Sequence, residues 1–374
     1  MTAGVFRPTG LFGDGRDESA ALNAPLNDLR AYGGGVCEIP AGRYSLGIAL
    51  DVTRARNMTL RGAGMGATVL LALPTFDGGD HVRRNSLIYG VNGLPGPDGR
   101  TGDTATWWTD DQSRQHVQAR REKYYRHLTI ERLTLVLSAQ SAAGIPVSLG
   151  WGLNLSGVEI TDTDDVTLRE VEVIDAYGNA LCISSMDPGV GGRVLRARIL
   201  DCLTDNCVRG PLPTYGNKMT GSVIQVQARG GLVQGNQIHR SGGPAIDCFG
   251  SFGVDILRNR IEGTNGVQGT VDGRGQFVGS IRSDGDYGGG DIADNTFVTS
   301  GSIWLGGLMP PIYQNAYVGW PGPRGVRVER NRVYSLAAEN VAAGHTQAPV
   351  LLGADWSDVS NRNDNVTRDN LISG

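Results

Sequence analysis

The chain has 374 residues, a formal net charge of −4, 56 glycines and only 6% aromatic residues. That near-balance of charge argues against general affinity for nucleic acid or for an anionic membrane surface, and no run of 18 apolar residues is present to cross a bilayer. The length exceeds a usual single-core domain, a limit that a solenoid escapes by growing along one axis.

In chain order, the first feature is a charged turn followed by an apolar stripe, Gly13-Asp-Gly-Arg-Asp-Glu-Ser-Ala-Ala-Leu-Asn23. It predicts a short amphipathic helix within residues 10–35. Next come a candidate strand pair, Gly33-Gly-Gly-Val-Cys-Glu-Ile-Pro-Ala-Gly-Arg-Tyr44, and a further strand, Met58-Thr-Leu-Arg-Gly-Ala-Gly64. Together these segments resemble the opening of the pectate-lyase-like superfamily, over residues 10–70. The resemblance implies an all-β fold, a right-handed single-stranded parallel β-helix whose first coil is plugged by an N-terminal capping helix. It says little about reaction, because such folds carry lyases, hydrolases, transferases, epimerases and tailspikes. A cap has a physical purpose: an open coil end exposes unpaired strand edges that invite association. Pro25 falls inside the expected helix and predicts that it is shortened or kinked. No basic segment followed by an apolar one opens the chain, so a cytoplasmic protein is expected if it is complete and a secreted one if a leader precedes it.

Residues 92–126 read as an insertion, polar and aromatic, with Trp107, Trp108, Tyr124 and Tyr125. A lid supplying stacking surfaces and an oligomer contact both fit it. Beyond it the chain repeats one motif: Val233/Asn236/Ile238, Ile256/Asn259/Ile261, Ile292/Asn295/Phe297 and Val328/Asn331/Val333. The same frame, with Asn replaced, is expected at Leu128/Glu131/Leu133, Val166/Arg169/Val171, Val194/Ala197/Ile199 and Val366/Asp369/Leu371. Asn suits a left-handed bend, and stacked Asn side chains hydrogen-bond from coil to coil. The closest anchors, Val233 and Ile256, are 23 residues apart, about one coil, and longer spacings are coil plus loop.

In each coil a short strand precedes the anchor strand. These strands align as Val158-Glu-Ile160, Leu181-Cys-Ile183, Ile224-Gln-Val226, Ile246-Asp-Cys248, Ile281-Arg-Ser283, Ile303-Trp-Leu305 and Val350-Leu-Leu352. Alternation sends the flanking residues inward and the middle one outward, giving a column Glu159, Cys182, Gln225, Asp247, Arg282, Trp304, Leu351 at about 4.8 Å steps. Five cysteines without CxxC spacing, Cys37, Cys182, Cys202, Cys207 and Cys248, are expected as buried thiols, not as disulfides or a zinc site. Long loops at 202–221, 263–279 and 306–324 flank the column and are expected to wall a cleft. They carry Arg209, Tyr215, Lys218 and Asp272, while Asp284 and Asp286 follow the Arg282 strand. His239, just past the Asn236 bend, reads as a surface residue.

Acid, cation and flat aromatic on successive coils are equipment for a sugar ring and its glycosidic oxygen. The expected catalytic group is Asp247, Asp284 and Arg282, with Gln225, Trp304, Asp286, Asp272, Lys218, Tyr215 and Arg209 binding substrate. Asp284 lies one coil on and two residues along from Asp247, about 8 Å, which suits an inverting pair. Hydrolysis or transfer needs no metal or other cofactor. A β-eliminating lyase remains the alternative, with Ca²⁺ as an optional cofactor on the acidic loop, and so does a glycan-binding tailspike or adhesin. The runs Ile246-Asp-Cys-Phe-Gly250 and Asn259-Arg-Ile-Glu-Gly263 are similar to β-helix inulin fructotransferases, which implies transfer driven by an acidic residue. The expected partner is a carbohydrate, with a homo-oligomer (a trimer) as a further expectation.

Overall fold

The structure is a computed structural model that describes residues 4–77, 86–91, 126–138, 156–184, 194–208, 222–248, 250–263, 281–283, 287–298, 303–305, 325–334, 350–352 and 366–372. For Arg282, Trp304 and the strand 350–352 it describes the backbone alone. The chain winds as a right-handed parallel β-helix. Each coil gives one short strand to a sheet ordered Leu50–Asp51, Ser86–Val91, Ser156–Thr161, Leu181–Ser184, Ile224–Val226, Ile246–Asp247, Ile281–Ser283, Ile303–Leu305 and Val350–Leu352. The remaining strands form the long sheet, in which every pairing is parallel. Between the sheets runs a continuous aliphatic core, its side chains supplied by alternate residues of each strand.

The capping helix spans Ser19–Tyr32 and lays Leu22, Leu26 and Leu29, all 0% exposed, over the first coil. It ends at Gly33, whose φ of 90° lets its N–H reach Arg30 O and Leu29 O. Contrary to the expectation, the helix continues through Pro25, which is itself buried. Burial of the leucine stripe on both sides outweighs the one hydrogen bond that proline removes.

The repeated asparagines form one ladder, as the repeat predicts. Asn236 Nδ2 donates to Asn259 Oδ1 at 2.8 Å, Asn259 to Asn295 at 3.0 Å, and Asn295 to Asn331 at 2.9 Å. The other N–H of each amide donates to a strand carbonyl one coil back: Ile199, Val233, Ile256 and Ile292. Each Oδ1 from Asn259 onward also accepts the backbone N–H of the preceding ladder residue. All four amides are essentially unexposed.

Two readings are corrected. The left-handed residue of the bend is the one before Asn, namely Gly235, Arg258, Asp294 and Arg330, with φ between 53° and 70°. Asn is thus selected for its amide, not for its backbone. The frames without Asn are also shifted. Pairing aligns Ile130, Leu168, Ile199 and Thr367 with the anchors, which moves Leu133, Val171, Cys202 and Asn370 into the ladder column. Asn370 extends the ladder, accepting from Asn331 at 3.0 Å and donating to Val328 O at 2.9 Å. Cys202 substitutes for the amide in part: its N–H donates to Asn236 Oδ1 and its Sγ lies 3.8 Å from Leu168 O. All five cysteines are free and buried, as expected.

On the outer surface of the long sheet a column of alternating charge, Glu38, Arg61, Glu131, Arg169, follows the strand register. Arg61 Nε meets Glu131 Oε1 at 2.6 Å and Arg169 holds the other oxygen. Burial of Glu131 works against its charge, but the two guanidinium bonds prevail and hold its carboxyl below the ordinary 4.5.

Two outcomes follow. Asn295→Ala, which strips partners from several buried groups, should cost about 2–4 kcal/mol in urea unfolding. Asn370→Ala, at the exposed end, should cost about 1 kcal/mol; equal costs would mean that the ladder carries no cooperative load. For Glu131, a depressed folded-state pKa contributes stability above the unfolded value that is lost as pH falls through the folded one. The stability advantage of wild type over Glu131→Gln should therefore be constant near neutrality and shrink below about pH 4.5, followed by melting temperature across pH.

Candidate functional site

The aligned column exists in the strand register. Tyr89 pairs with Glu159, Glu159 with Cys182, Cys182 with Gln225, Gln225 with Asp247, Asp247 with Arg282, Arg282 with Trp304, and Trp304 with Leu351. Asp51 precedes Tyr89 in the same column. Around Asp247 the alternation is as predicted, with Ile246 and Cys248 in the core at 0% exposure. Asp247 stands outside that core, yet it is only 6% exposed, and Glu159 only 2%. These are enclosed carboxylates and not members of a solvated face.

What holds them was not legible. Three residues before Tyr89, Cys182 and Gln225, a polar side chain reaches the column residue of the next coil. Ser86 Oγ donates to Glu159 Oε2 at 3.1 Å, Asn179 Nδ2 to Gln225 Oε1 at 2.9 Å, and Ser222 Oγ to Asp247 Oδ2 at 3.2 Å. These bend residues tie to each other as well, since Ser222 N–H donates to Asn179 Oδ1 at 2.8 Å. Cys182 Sγ adds a contact to Gln225 Oε1 at 3.7 Å. Ser86, Asn179 and Ser222 are buried. No sequence motif marks them; only their constant offset of three from the column does.

The structure brings Gln225 and Asp247 onto adjacent strands, and Arg282 and Trp304 onto the next two. The other expected site residues, Asp284, Asp286, Asp272, Lys218, Tyr215 and Arg209, lie outside the described residues, as do 209–221, 264–279, 306–324 and most of 92–126; the start of the expected loop 202–221 is instead the strand Leu203–Asp205 of the long sheet. Among the described residues, no three His, Cys, Asp or Glu side chains converge to hold a metal ion. Nor is any described helix long and apolar enough to cross a membrane.

Among the described residues, two depressions on the long sheet compete as sites. One contains Asp205, His239, Arg240 and Glu262, the other Arg258, Asp294, Arg330 and Arg332. Their charges are largely spent on each other: Arg240 Nε lies 2.6 Å from Asp205 Oδ1, and Arg330 Nε lies 2.9 Å from Asp294 Oδ1. His239, half-buried and 3.7 Å from Glu262, belongs to this ionic surface. We therefore place the candidate site on the enclosed column.

No family model and no curated protein matches this sequence. Among solved structures the chain is similar to an alginate lyase from Paenibacillus sp. str. FPU-7, with TM-score 0.50 and 13% identity over 95% of this chain and 96% of that one. It is also similar to a 1,3-alpha-1,4-beta-D-galactose-4-sulfate-3,6-anhydro-D-galactose-2-sulfate 4 galactohydrolase, with TM-score 0.51 and 12% identity over 90% and 73% of the two chains. A third similarity, to ORF18 of Geobacillus virus E2, has TM-score 0.48 and 12% identity; it takes in 98% of this chain, which spans 61% of the length of that protein. The class is therefore that of right-handed parallel β-helix proteins, in agreement with the pectate-lyase-like resemblance, and at these identities the likeness speaks for the fold alone.

Because Asp247 packs outside the aliphatic core, Asp247→Asn should fold, with a stability change within about 1 kcal/mol. Ile246→Asn, one residue away, should unfold the coil. Comparable losses for both substitutions, measured by chemical denaturation, would mean that Asp247 is a structural carboxylate.

Proposed function

We propose that the chain is a carbohydrate-active protein that cleaves or transfers glycosidic bonds of an oligo- or polysaccharide by carboxylate acid–base catalysis on the short-strand sheet. The observation that carries this reading is the in-register column in which Gln225 and Asp247 stand side by side, each held by a buried side chain of the preceding coil. Preorganised polar groups on rigid strands are what a glycosidic transition state requires. In this reading Asp247 is one member of the acid–base pair and Asp284 the other, at about 8 Å by strand spacing. Arg282, paired with Asp247 in register, supplies a cation beside the pair, and Trp304 stacks on a sugar face. Gln225, Asp286, Asp272, Lys218, Tyr215 and Arg209 bind substrate.

A second reading, glycan binding without chemistry, is favoured by one distance. Glu159 and Asp247, the two carboxylates of the column on either side of Cys182 and Gln225, are three strands apart, roughly 14 Å, beyond either hydrolytic geometry.

Incubation with neutral and uronic glycans, with reducing ends and unsaturated-uronate absorbance measured separately, distinguishes the readings. New reducing ends alone indicate hydrolysis, a cyclic product without them indicates transfer, and absorbance indicates a lyase. Binding without product selects the second reading. In the catalytic case Asp247→Asn and Asp284→Asn should each lower kcat by two or more orders of magnitude with binding nearly unchanged. Wild-type turnover in both variants would place the chemistry elsewhere.

A further inference from the structure

The ladder that pins each Asn inward leaves the residues on either side of it at the surface. Equivalent ones stack in two columns at steps of about 4.8 Å. One column, on the left-handed bends, is Arg258, Asp294, Arg330 and Asp369. The other, where the next strand starts, is Arg260, Thr296, Arg332 and Leu371. The second depression described above lies between them. Its three guanidiniums, Arg258, Arg330 and Arg332, against two carboxylates, Asp294 and Asp369, leave one positive charge, in a chain whose net charge is −4.

The pairing inside it is unequal. Elsewhere on the long sheet an exposed arginine meets an acid of the coil before: Arg196 with Asp165, Arg240 with Asp205, Arg327 with Asp291. Arg330 follows that rule, holding Asp294 through Nε at 2.9 Å and Nη2 at 3.0 Å. Arg258 and Arg332 do not. The coil before Arg258 offers Gly235, and the acid on the coil after, Asp294, is taken by Arg330. The in-register neighbours of Arg332 are Thr296 and Leu371, neither of which carries a charge. Among the described residues neither guanidinium makes an ion pair or a side-chain hydrogen bond. Both nevertheless reach toward the same point. The Asp294 carboxyl is held below its usual range first by the bond from Arg330, and further by the charges of Arg258 and Arg332. Thr296, half-buried between them, has a hydroxyl that makes no hydrogen bond within the chain.

We propose that this depression is a binding site for an oxyanion, a sulfate, phosphate or carboxylate group that accepts from Arg258, Arg332 and the Thr296 hydroxyl. Guanidinium forks match the paired oxygens of such groups, which a single ammonium does not. The anion sits on the diagonal from Arg258 to Arg332, because Asp369, exposed and outside any described ion pair, repels it from the far end. The group comes either as a free ion or as the acidic substituent of a glycan. The site lies on the long sheet and is independent of the reading given to the short-strand column.

The test is titration calorimetry of the full chain at low salt. The probes are inorganic sulfate, inorganic phosphate, an oligogalacturonate, and a sulfated galactan oligomer beside its desulfated form. The sulfated oligomer should bind at least about tenfold tighter than the desulfated one, with the difference shrinking as salt is added. Arg258→Gln and Arg332→Gln should each weaken it about fivefold or more, and Asp369→Asn should tighten it about twofold. Arg327→Gln, which removes a guanidinium already bonded to Asp291, should change affinity less than about twofold. All four side chains are exposed, so the melting curves of the variants should superimpose on that of wild type.

Inorganic ions that bind in an Arg258- and Arg332-dependent way, with no gain from the oligomers, keep the site and assign it to a free ion. A gain with the acidic oligomers assigns it to a glycan substituent. Equal losses for Arg327→Gln and Arg258→Gln would show that overall charge and not a site is at work, and would sink the proposal. So would silence from every anion, or binding that survives the Arg258→Gln/Arg332→Gln double variant unchanged. None of these results touches the acid–base reading of Asp247.

Discussion

The register of the coils from Asn236 to Asn370 depends on a buried chain of side-chain amides. A β-coil alone is weakly specified, because a two-residue slip returns the same apolar residues to the core. The ladder removes that freedom. Each ladder amide places two N–H groups and an oxygen against partners on the coils before and after it. A slipped coil would bury those polar atoms without partners, at a cost comparable to much of the stability of a domain. The polar chain thus supplies specificity, while the aliphatic core between the sheets supplies the gross driving force.

The bends that carry the ladder work against local preference. Arg258, Asp294, Arg330 and Asp369 take left-handed backbone, which for non-glycine residues costs about 1–2 kcal/mol each. A glycine would relieve that cost, and Gly235 occupies the equivalent place in one coil. Elsewhere the side chains do something glycine cannot. Arg330 bridges Asp294 on the coil below, and its guanidinium holds that carboxyl below the usual range. The ionic ladder therefore runs beside the amide ladder, one residue away, and both are periodic for the same reason: equivalent positions on parallel strands stack directly over each other.

This periodicity explains what the sequence disclosed and what it withheld. The fold, the cap, the four-Asn ladder and the outward column were all legible, because each repeats a residue type or an alternation that survives without knowledge of loop lengths. The early frames were not. Leu133 and Val171 occupy the ladder column without any amide, and alternation cannot tell Leu128 from Ile130 as the anchor, since both point inward. Asn370 was hidden by a one-residue slip beside the apolar Val366 and Leu371. Asn179 and Ser222 were missed for a different reason. They sit at bends, where neither period applies, and their significance lies in a contact with the next coil, a relation that residue spacing in the chain does not encode.

The same relation shapes the site. In a solenoid, successive coils meet only their neighbours, so the groups that orient a surface residue must come from the coil before or after it. Ser86, Asn179 and Ser222 each do this for the column residue one coil on. The second layer of the site is therefore built by translation, not by a folded-back loop, and it varies coil by coil through single substitutions. At Pro244, which occupies the same offset before Asp247 that Ser222 holds before Gln225, the series has no side-chain donor to send forward. The described buttressing thus stops at Asp247, at the strand where the register passes to Arg282 and Trp304. The column thus has one stretch fixed by hydrogen bonds from the coil before, and another in which Arg282 and Trp304 follow in strand register. Asp247, the last of the described residues buttressed in this way, stands at the boundary between them.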